Sequence, residues 1–255
     1  MLIGRRVLVT GASSGIGVAI ARVFAGHGAQ VVALGRSEPA LAKLVADTAN
    51  VTAYFSGDLT RNGVPERLVG ESTDALGGLD VLVNCAGVLR GATIQDTTPE
   101  IWHANFAANT TAVYAMMHSA IPHMKSGAAI CNISSVNGLQ AFGGTAAYCA
   151  SKAATDQLTR CASVDLAPLG IRVNAVNPGV VVTELQKRGG MSDEVYDRFL
   201  ERSAAVTHPL GQALGRVAQP NEVAELAAFL CSAKASFITG ECVAIDGGRQ
   251  NLGAR

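Results

Sequence analysis

The sequence predicts an α/β fold: a single doubly wound domain over residues 1–255, with a seven-stranded, mainly parallel sheet and helices on both faces. Three observations lead there. Short β-branched apolar runs alternate with longer helical patterns along the whole chain. The runs are apolar nearly throughout rather than at every second residue, as strands covered on both faces are. The first run feeds through a glycine turn straight into a helical pattern, the opening of a right-handed strand–helix–strand crossover.

The elements follow in order. RVLVT at 6–10, QVVAL at 30–34, VTAYF at 51–55, LDVLVN at 79–84, AAICNI at 128–133, IRVNAVN at 171–177 and ECVAID at 241–246 read as strands. Helical patterns run over 15–27, 38–48, 63–76, 99–124, 145–167 and 220–232. No repeat or low-complexity linker divides them, which is why one domain is expected. The alternation breaks only between 183 and 215. That stretch is polar, and KRGGMSDEVYDRFLERS gives one short amphipathic helix bounded by loops. Ligands of doubly wound sheets sit beyond the carboxyl ends of the strands. This segment leaves the strand at 171–177 on that side, so it is expected to form a mobile cap over a substrate.

Bulk composition removes several function classes. Lys plus Arg and Asp plus Glu number 20 each, so the net charge is zero, and no basic run offers a face to nucleic acid or an anionic membrane. Only 16 % of residues are charged and 49 % are hydrophobic, in keeping with extensive buried surface. The six cysteines form no CxxC, and the five histidines complete no zinc-ligand spacing, so no metal site is expected and the thiols read as reduced and buried. No apolar run approaches the roughly 20 residues of a membrane span, and the N-terminus lacks a signal-peptide layout. A soluble, cytoplasmic protein is expected.

The first turn, TGASSGIG, carries chemistry. Gly11, Gly15 and Gly17 have the spacing GxxxGxG, which allows tight turning, close backbone approach to a pyrophosphate and a helix N-terminus aimed at negative charge. Ser13 and Ser14 add hydroxyl donors. A carboxylate at the end of the second strand would hold an adenosine ribose and repel a 2′-phosphate. Here Gly35 stands in that place and Arg36 follows, which favours NADP(H) while leaving NAD(H) open. Asp58, after the third strand, is placed to accept from an adenine amino group. Asn84, Ala86 and Gly87 lie beside the cofactor's path, with the Asn84 amide able to tie neighbouring strands.

Tyr148 and Lys152 are four apart in a helical segment and project from one face. A free phenol, with a pKa near ~10, is a poor proton donor-acceptor at neutral pH. A neighbouring ammonium and an oxidised nicotinamide both favour the phenolate, and Lys152 can also donate to ribose hydroxyls. Ser135, thirteen residues before Tyr148 at a strand end, can polarise a carbonyl.

TGASSGIG, NCAG, the serine and YxxxK, in that order and spacing, resemble the short-chain dehydrogenase/reductase family, with NPGVVVT at 177–183 and the terminal IDGG extending the likeness over essentially the whole chain. The resemblance implies a Rossmann fold and a catalytic tetrad of Asn109, Ser135, Tyr148 and Lys152. In it Tyr148 is the general acid/base, Ser135 orients the substrate oxygen, Lys152 holds the ribose, and Asn109 holds a water that links Lys152 to a proton relay. It implies that the Val181 backbone and Thr183 bind the carboxamide, and that Ile16, Leu59, Pro178 and Gly179 complete the cofactor's path. It places Phe142, Leu185, Asn137 and Gln140 around a small-molecule substrate, and suggests a homotetramer (or homodimer) packed through the helices bearing Asn109 and Tyr148. NCAG stands where NNAG is commoner, so Cys85 is expected to weaken the local pinning of the sheet. The reading is an oxidoreductase interconverting a carbonyl and a secondary alcohol. Alternatives are an NAD-dependent polyol, sugar or hydroxysteroid dehydrogenase of the same family, a regulatory nucleotide-binding member without turnover, and a sugar-nucleotide epimerase or dehydratase. The last is disfavoured by the glycine pattern and by a chain ending at residue 255.

Overall fold

The computed structural model describes residues 1–252. Seven strands, β1 (Arg6–Val9), β2 (Gln30–Gly35), β3 (Val51–Ser56), β4 (Leu79–Asn84), β5 (Met124–Ile133), β6 (Arg172–Pro178) and β7 (Cys242–Ile245), form one sheet in the order β3-β2-β1-β4-β5-β6-β7. Every pairing is parallel, which sharpens the expected "mainly parallel". The helices α1 (Gly15–Gly26), α2 (Glu38–Asp47), α3 (Val64–Leu76), α4 (Pro99–Phe106), α5 (Ala112–Ala120) and α6 (Ala146–Leu166) connect the first six strands. After β6 come α7 (Leu185–Arg188), α8 (Asp193–Arg202), α9 (Pro209–Leu214) and α10 (Pro220–Cys231).

The continuous apolar runs have a simple packing cause. Val7, Val9, Val31, Ala33, Val81 and Val83 point to one face, where Ile20 and Phe24 of α1 and Val223 and Ala227 of α10 cover them. Leu8, Val32, Leu34 and Leu82, one residue out of phase, point to the other, under Leu68 and Val69 of α3 and Met116 and Met117 of α5. Each such side chain contributes about 1.5–3 kcal/mol when fully buried, so both phases of the strand must be apolar. At the outer end of β1, Arg6 clamps Asp80 of β4 through Nη2–Oδ1 at 2.7 Å and Nε–Oδ2 at 2.8 Å, holding the central pair in register.

Two helical readings need correction. The pattern over 99–124 is not one α-helix: it widens into a π-turn at Ala107–Thr111 and ends in a 3-10 turn at Ile121–His123. The segment 183–215 holds α7, α8, a π-turn at Ser203–Thr207 and α9, not one short helix. It is anchored at two points. The Tyr196 hydroxyl donates to the Thr183 carbonyl at 2.8 Å and accepts from the Thr183 amide at 3.0 Å. The buried His208 ring accepts from the Val180 amide at 3.1 Å. Among the described residues no helix is long and apolar enough to cross a membrane.

Candidate active site

The chain reverses direction across the sheet between β2-β1 and β4-β5, and a cleft of about 770 Å³ opens beyond the carboxyl ends of those strands. Its nucleotide-sized half is built from β1 and α1. Gly11 adopts φ +69°, and a Cβ there would lie 2.8 Å from the Ala86 nitrogen; a Cβ on Gly17 would run into the Gly11 carbonyl. Main chain therefore approaches main chain more closely than any side chain permits. Ser14 caps α1 in an extended conformation without a side-chain cap bond, and the first turn holds no acid. The first amides of α1 are thus left for a ligand, at the positive end of the helix. The Thr10 hydroxyl accepts from both the Cys85 and Ala86 amides, at 2.9 and 3.0 Å, and joins the end of β1 to the end of β4.

Farther along, Gly35 packs tightly: a Cβ would meet the Ser13 Cβ and Oγ at 3.0 Å, so Ser13 would have to give way. Arg36 and Asp58 line the same end. Asp58 Oδ1 accepts from the Thr60 amide at 3.0 Å and hydroxyl at 2.7 Å. Those bonds, with the Arg36 and Arg61 charges, hold its carboxyl below the usual range. A glycine cradle, an unsatisfied helix N-terminus and this flanking cation fit a dinucleotide.

The other half of the cleft gathers Ser135, Tyr148 and Lys152, all lining it and all nearly buried. Ser135 lies two residues past the end of β5 and caps a 3-10 turn by accepting from the Asn137 amide at 3.1 Å. Tyr148 and Lys152 lie one turn apart in α6, with the Lys152 Nζ 5.9 Å from the Tyr148 ring centre. Lys152 donates to the Ile133 carbonyl at 2.8 Å, which fixes the ammonium at the end of β5. Burial pushes the phenol up to about 12, against the opposing hydrogen bond of Ser135, and pushes the lysine down to about 8. The sequence led to a phenol lowered by an ammonium and an oxidised nicotinamide. The protein's own surroundings do the reverse, because desolvation disfavours both charged forms and is the largest cause for each. A positive charge beside the phenol works against that balance, as the Ser135 hydrogen bond already does.

Gly11, Ser13, Ser14, Gly15, Ile16, Gly17, Arg36, Asp58, Leu59, Ala86, Gly87, Pro178, Gly179, Val181 and Thr183 all line the cleft with Tyr148 and Lys152, as do Asn137, Phe142 and Leu185. Three expected residues do not. Asn84 is buried beneath the floor, where its Nδ2 donates to Asn132 Oδ1 of β5 at 2.9 Å; it ties strands and lies outside the cleft lining. Gln140 lies outside the lining. Asn109 is fully buried behind the cleft, with both amide hydrogens committed to the Val88 carbonyl and Ser151 Oγ at 3.0 Å, while its Oδ1 accepts from the Val88 amide at 2.9 Å. This clamp sits in the π-turn, whose loosened ladder lets the Asn109 carbonyl take the Thr155 hydroxyl at 2.7 Å. Both amide hydrogens are therefore spent, and the lone pairs of its oxygens are what is left for a water.

Sequence reasoning passed over Asp156, one turn beyond Lys152, which accepts from Asn177 Nδ2 at 2.9 Å and whose carboxyl is pushed up by burial. It also passed over Arg249, which lines the cleft from beyond β7. The YxxxK spacing, continued by one turn, could have found the first; nothing local announces the second. All six cysteines are free, but Cys161 is exposed, so the thiols are not uniformly buried. No metal-holding cluster occurs among the described residues.

Comparison with known proteins supplies the class. A family model described as enoyl-(acyl carrier protein) reductase matches residues 11–250. The chain is 36 % identical to a meso-2,3-butanediol dehydrogenase of Serratia marcescens over 244 residues, covering 95 % of this chain and 93 % of that one. It is 33 % identical to a 3-oxoacyl-(acyl-carrier-protein) reductase of Chlamydia muridarum over 255 residues, covering 97 % and 98 %. A solved short chain dehydrogenase from Burkholderia cenocepacia, in complex with NADP, superposes with a TM-score of 0.86 at 30 % identity, covering 98 % and 99 %. The protein is an NAD(P)-dependent oxidoreductase acting on CH–OH groups. It belongs to the short-chain dehydrogenase/reductase family.

Proposed function

We propose that the protein interconverts a small, partly apolar carbonyl compound and its secondary alcohol with NADP(H), using Tyr148 as general acid/base. The observation that carries this is the burial of Tyr148, Lys152 and Ser135 together in the same cleft as the glycine cradle. When bound, the nicotinamide supplies or accepts the hydride. Tyr148 Oη gives the carbonyl oxygen its proton during reduction and takes it back during oxidation. Ser135 Oγ donates to that oxygen and holds it beside the phenol. Lys152 favours the phenolate and presents its remaining hydrogens to the ribose. Thr183 and the Val181 backbone hold the carboxamide and so fix which ring face meets the substrate. Asn109 acts through position, keeping the turn before Val88 and the flank of α6 together.

Arg36, with Ser13 against Gly35, supports a 2′-phosphate over a bare ribose hydroxyl. The segment 183–215, which contributes Leu185, Met191, Val195 and Phe199 to the cleft wall, acts as the substrate cap of one domain over 1–255. Exposed Trp102, Tyr114 and Val164 on α4, α5 and α6 support a homotetramer packed through those helices, checked by sedimentation at micromolar concentration. The test of function is a nicotinamide absorbance screen of diverse carbonyls and alcohols with both dinucleotides, on wild type and Arg36→Ala. Turnover with NADP(H), and a loss on Arg36→Ala at least tenfold greater for NADP(H) than for NAD(H), is expected. Binding without turnover across the screen would overturn the reaction; equal losses would overturn the coenzyme choice.

A further inference from the structure

We propose that Arg249 binds a carboxylate of the substrate, so that the preferred substrates are oxo acids and the matching hydroxy acids rather than neutral ketones and alcohols. This deepens, and rests on, the carbonyl–alcohol reading. Arg249 opens a 3-10 turn, Arg249–Asn251, that follows β7 through Gly248, whose φ of +84° turns the chain back over the cleft. The turn is held by Asp246. Its Oδ1 accepts from the Gly248 amide at 2.9 Å and its Oδ2 from the Gln250 amide at 2.7 Å. Asp246 thus spends both oxygens on main chain, and among the described residues the guanidinium has no ion pair.

The guanidinium instead sits over the Phe142 ring, its central carbon 5.0 Å from the ring centre. Stacking fixes a planar cation while leaving its N–H edges open, the geometry that meets a carboxylate through two parallel bonds. Among the described residues Arg249 makes no side-chain hydrogen bond, although it is half-buried, and burial works against its charge. Arg249 and Phe142 line the same cleft as Ser135 and Tyr148. The surrounding wall is cationic. Arg90 and Arg188 lie at its exposed rim, while its acids are Asp58, held by Thr60, and Glu184, faced by Lys187 at 3.9 Å. A half-buried cation on an aromatic ring, in the cleft that holds Ser135 and Tyr148 and with Asp246, among the described residues its one neighbouring acid, already bonded to main chain, is matched by an anionic substrate.

The experiment compares 3-oxobutanoate, 4-oxopentanoate and 5-oxohexanoate with their ethyl esters as substrates of wild type, Arg249→Gln and Arg249→Lys. For the pair turned over best, the acid should exceed its ester in kcat/KM by about tenfold or more, as expected of a hydrogen-bonded charge. Arg249→Gln should cut that ratio by about tenfold or more, chiefly through the KM of the acid, and Arg249→Lys should keep part of it. An equal fall for acid and ester, or a wild-type preference for esters, overturns the carboxylate assignment and leaves the hydride chemistry standing. If none of the compounds turns over, calorimetric titration of the acids into dinucleotide-loaded protein decides. Acids bound at least tenfold more weakly by Arg249→Gln uphold the subsite and leave the reaction reading to the wider screen, and equal or no binding overturns the subsite.

Discussion

Lys152 makes the most exposed wager, because its burial should cost stability at the pH where the protein works. Its pKa falls from 10.5 to about 8 through desolvation. At about 1.4 kcal/mol per tenfold change, that drop corresponds to ~3 kcal/mol of disfavoured charge. The hydrogen bond to the Ile133 carbonyl offsets about 1.5–2 kcal/mol of it. Lys152→Met fills similar volume without charge, so near pH 7 it should be ~1 kcal/mol more stable than wild type, or about 2–4 °C in Tm. The sign follows from linkage. Below the folded value of about 8 both folded and unfolded lysine are protonated and the cost is present in full. Between about 8 and 10.5 the unfolded chain holds more protons than the folded one, so wild-type stability rises with pH relative to the variant. The assay is a Tm difference, variant minus wild type, from pH 7 to 10.5. Buried Tyr148 and Cys85, both pushed up to about 12, are present in each protein, and desolvation, the main cause of both shifts, is common to the two and cancels in the difference. An advantage that shrinks and then reverses across the window is expected. A difference that stays flat would refute the claim that desolvation dominates at Lys152.

Gly17→Ala puts a Cβ against the Gly11 carbonyl, a backbone atom that cannot swing aside. It should cost roughly 1–3 kcal/mol of stability and weaken dinucleotide affinity more than tenfold in a fluorescence titration; unchanged affinity would contradict the close-approach argument. His208 must be neutral to accept from Val180, and burial lowers its pKa below the ordinary 6.5. The unfolded ring therefore takes up protons first, so stability should fall as pH drops below about 6.5. His208→Gln should lack that part of the slope in a Tm series from pH 7.5 to 5.

How far the sequence carries depends on where each determinant lies. The inner strands were legible because burial on both faces writes itself locally, as Val7, Leu8 and Val9 serve opposite cores in successive positions; the edge strands β3 and β7 are only partly buried and showed through their short apolar runs. The glycine cradle and the Tyr148–Lys152 spacing were legible because adjacent residues build them. The break at 107–111 was not, since the π-turn is stabilised by Asn109 gripping Val88, twenty-one residues away. The fate of Asn84 depends likewise on Asn132 in a neighbouring strand. The segment 183–215 divides into three helices because Tyr196 and His208 pin it to Thr183 and Val180, contacts without periodic signature. Arg249 gains meaning only from Phe142, over a hundred residues earlier.

The central claim is that the Tyr148 hydroxyl transfers the proton. Tyr148→Phe keeps the ring, its packing in α6 and the neighbouring Lys152, and removes one oxygen. Single-turnover absorbance of bound reduced dinucleotide, mixed with the best carbonyl substrate, should show hydride transfer slowed by about 10²–10⁴-fold while dinucleotide affinity stays within a few fold of wild type. Oxidation of the dinucleotide at a rate near wild type would contradict the account.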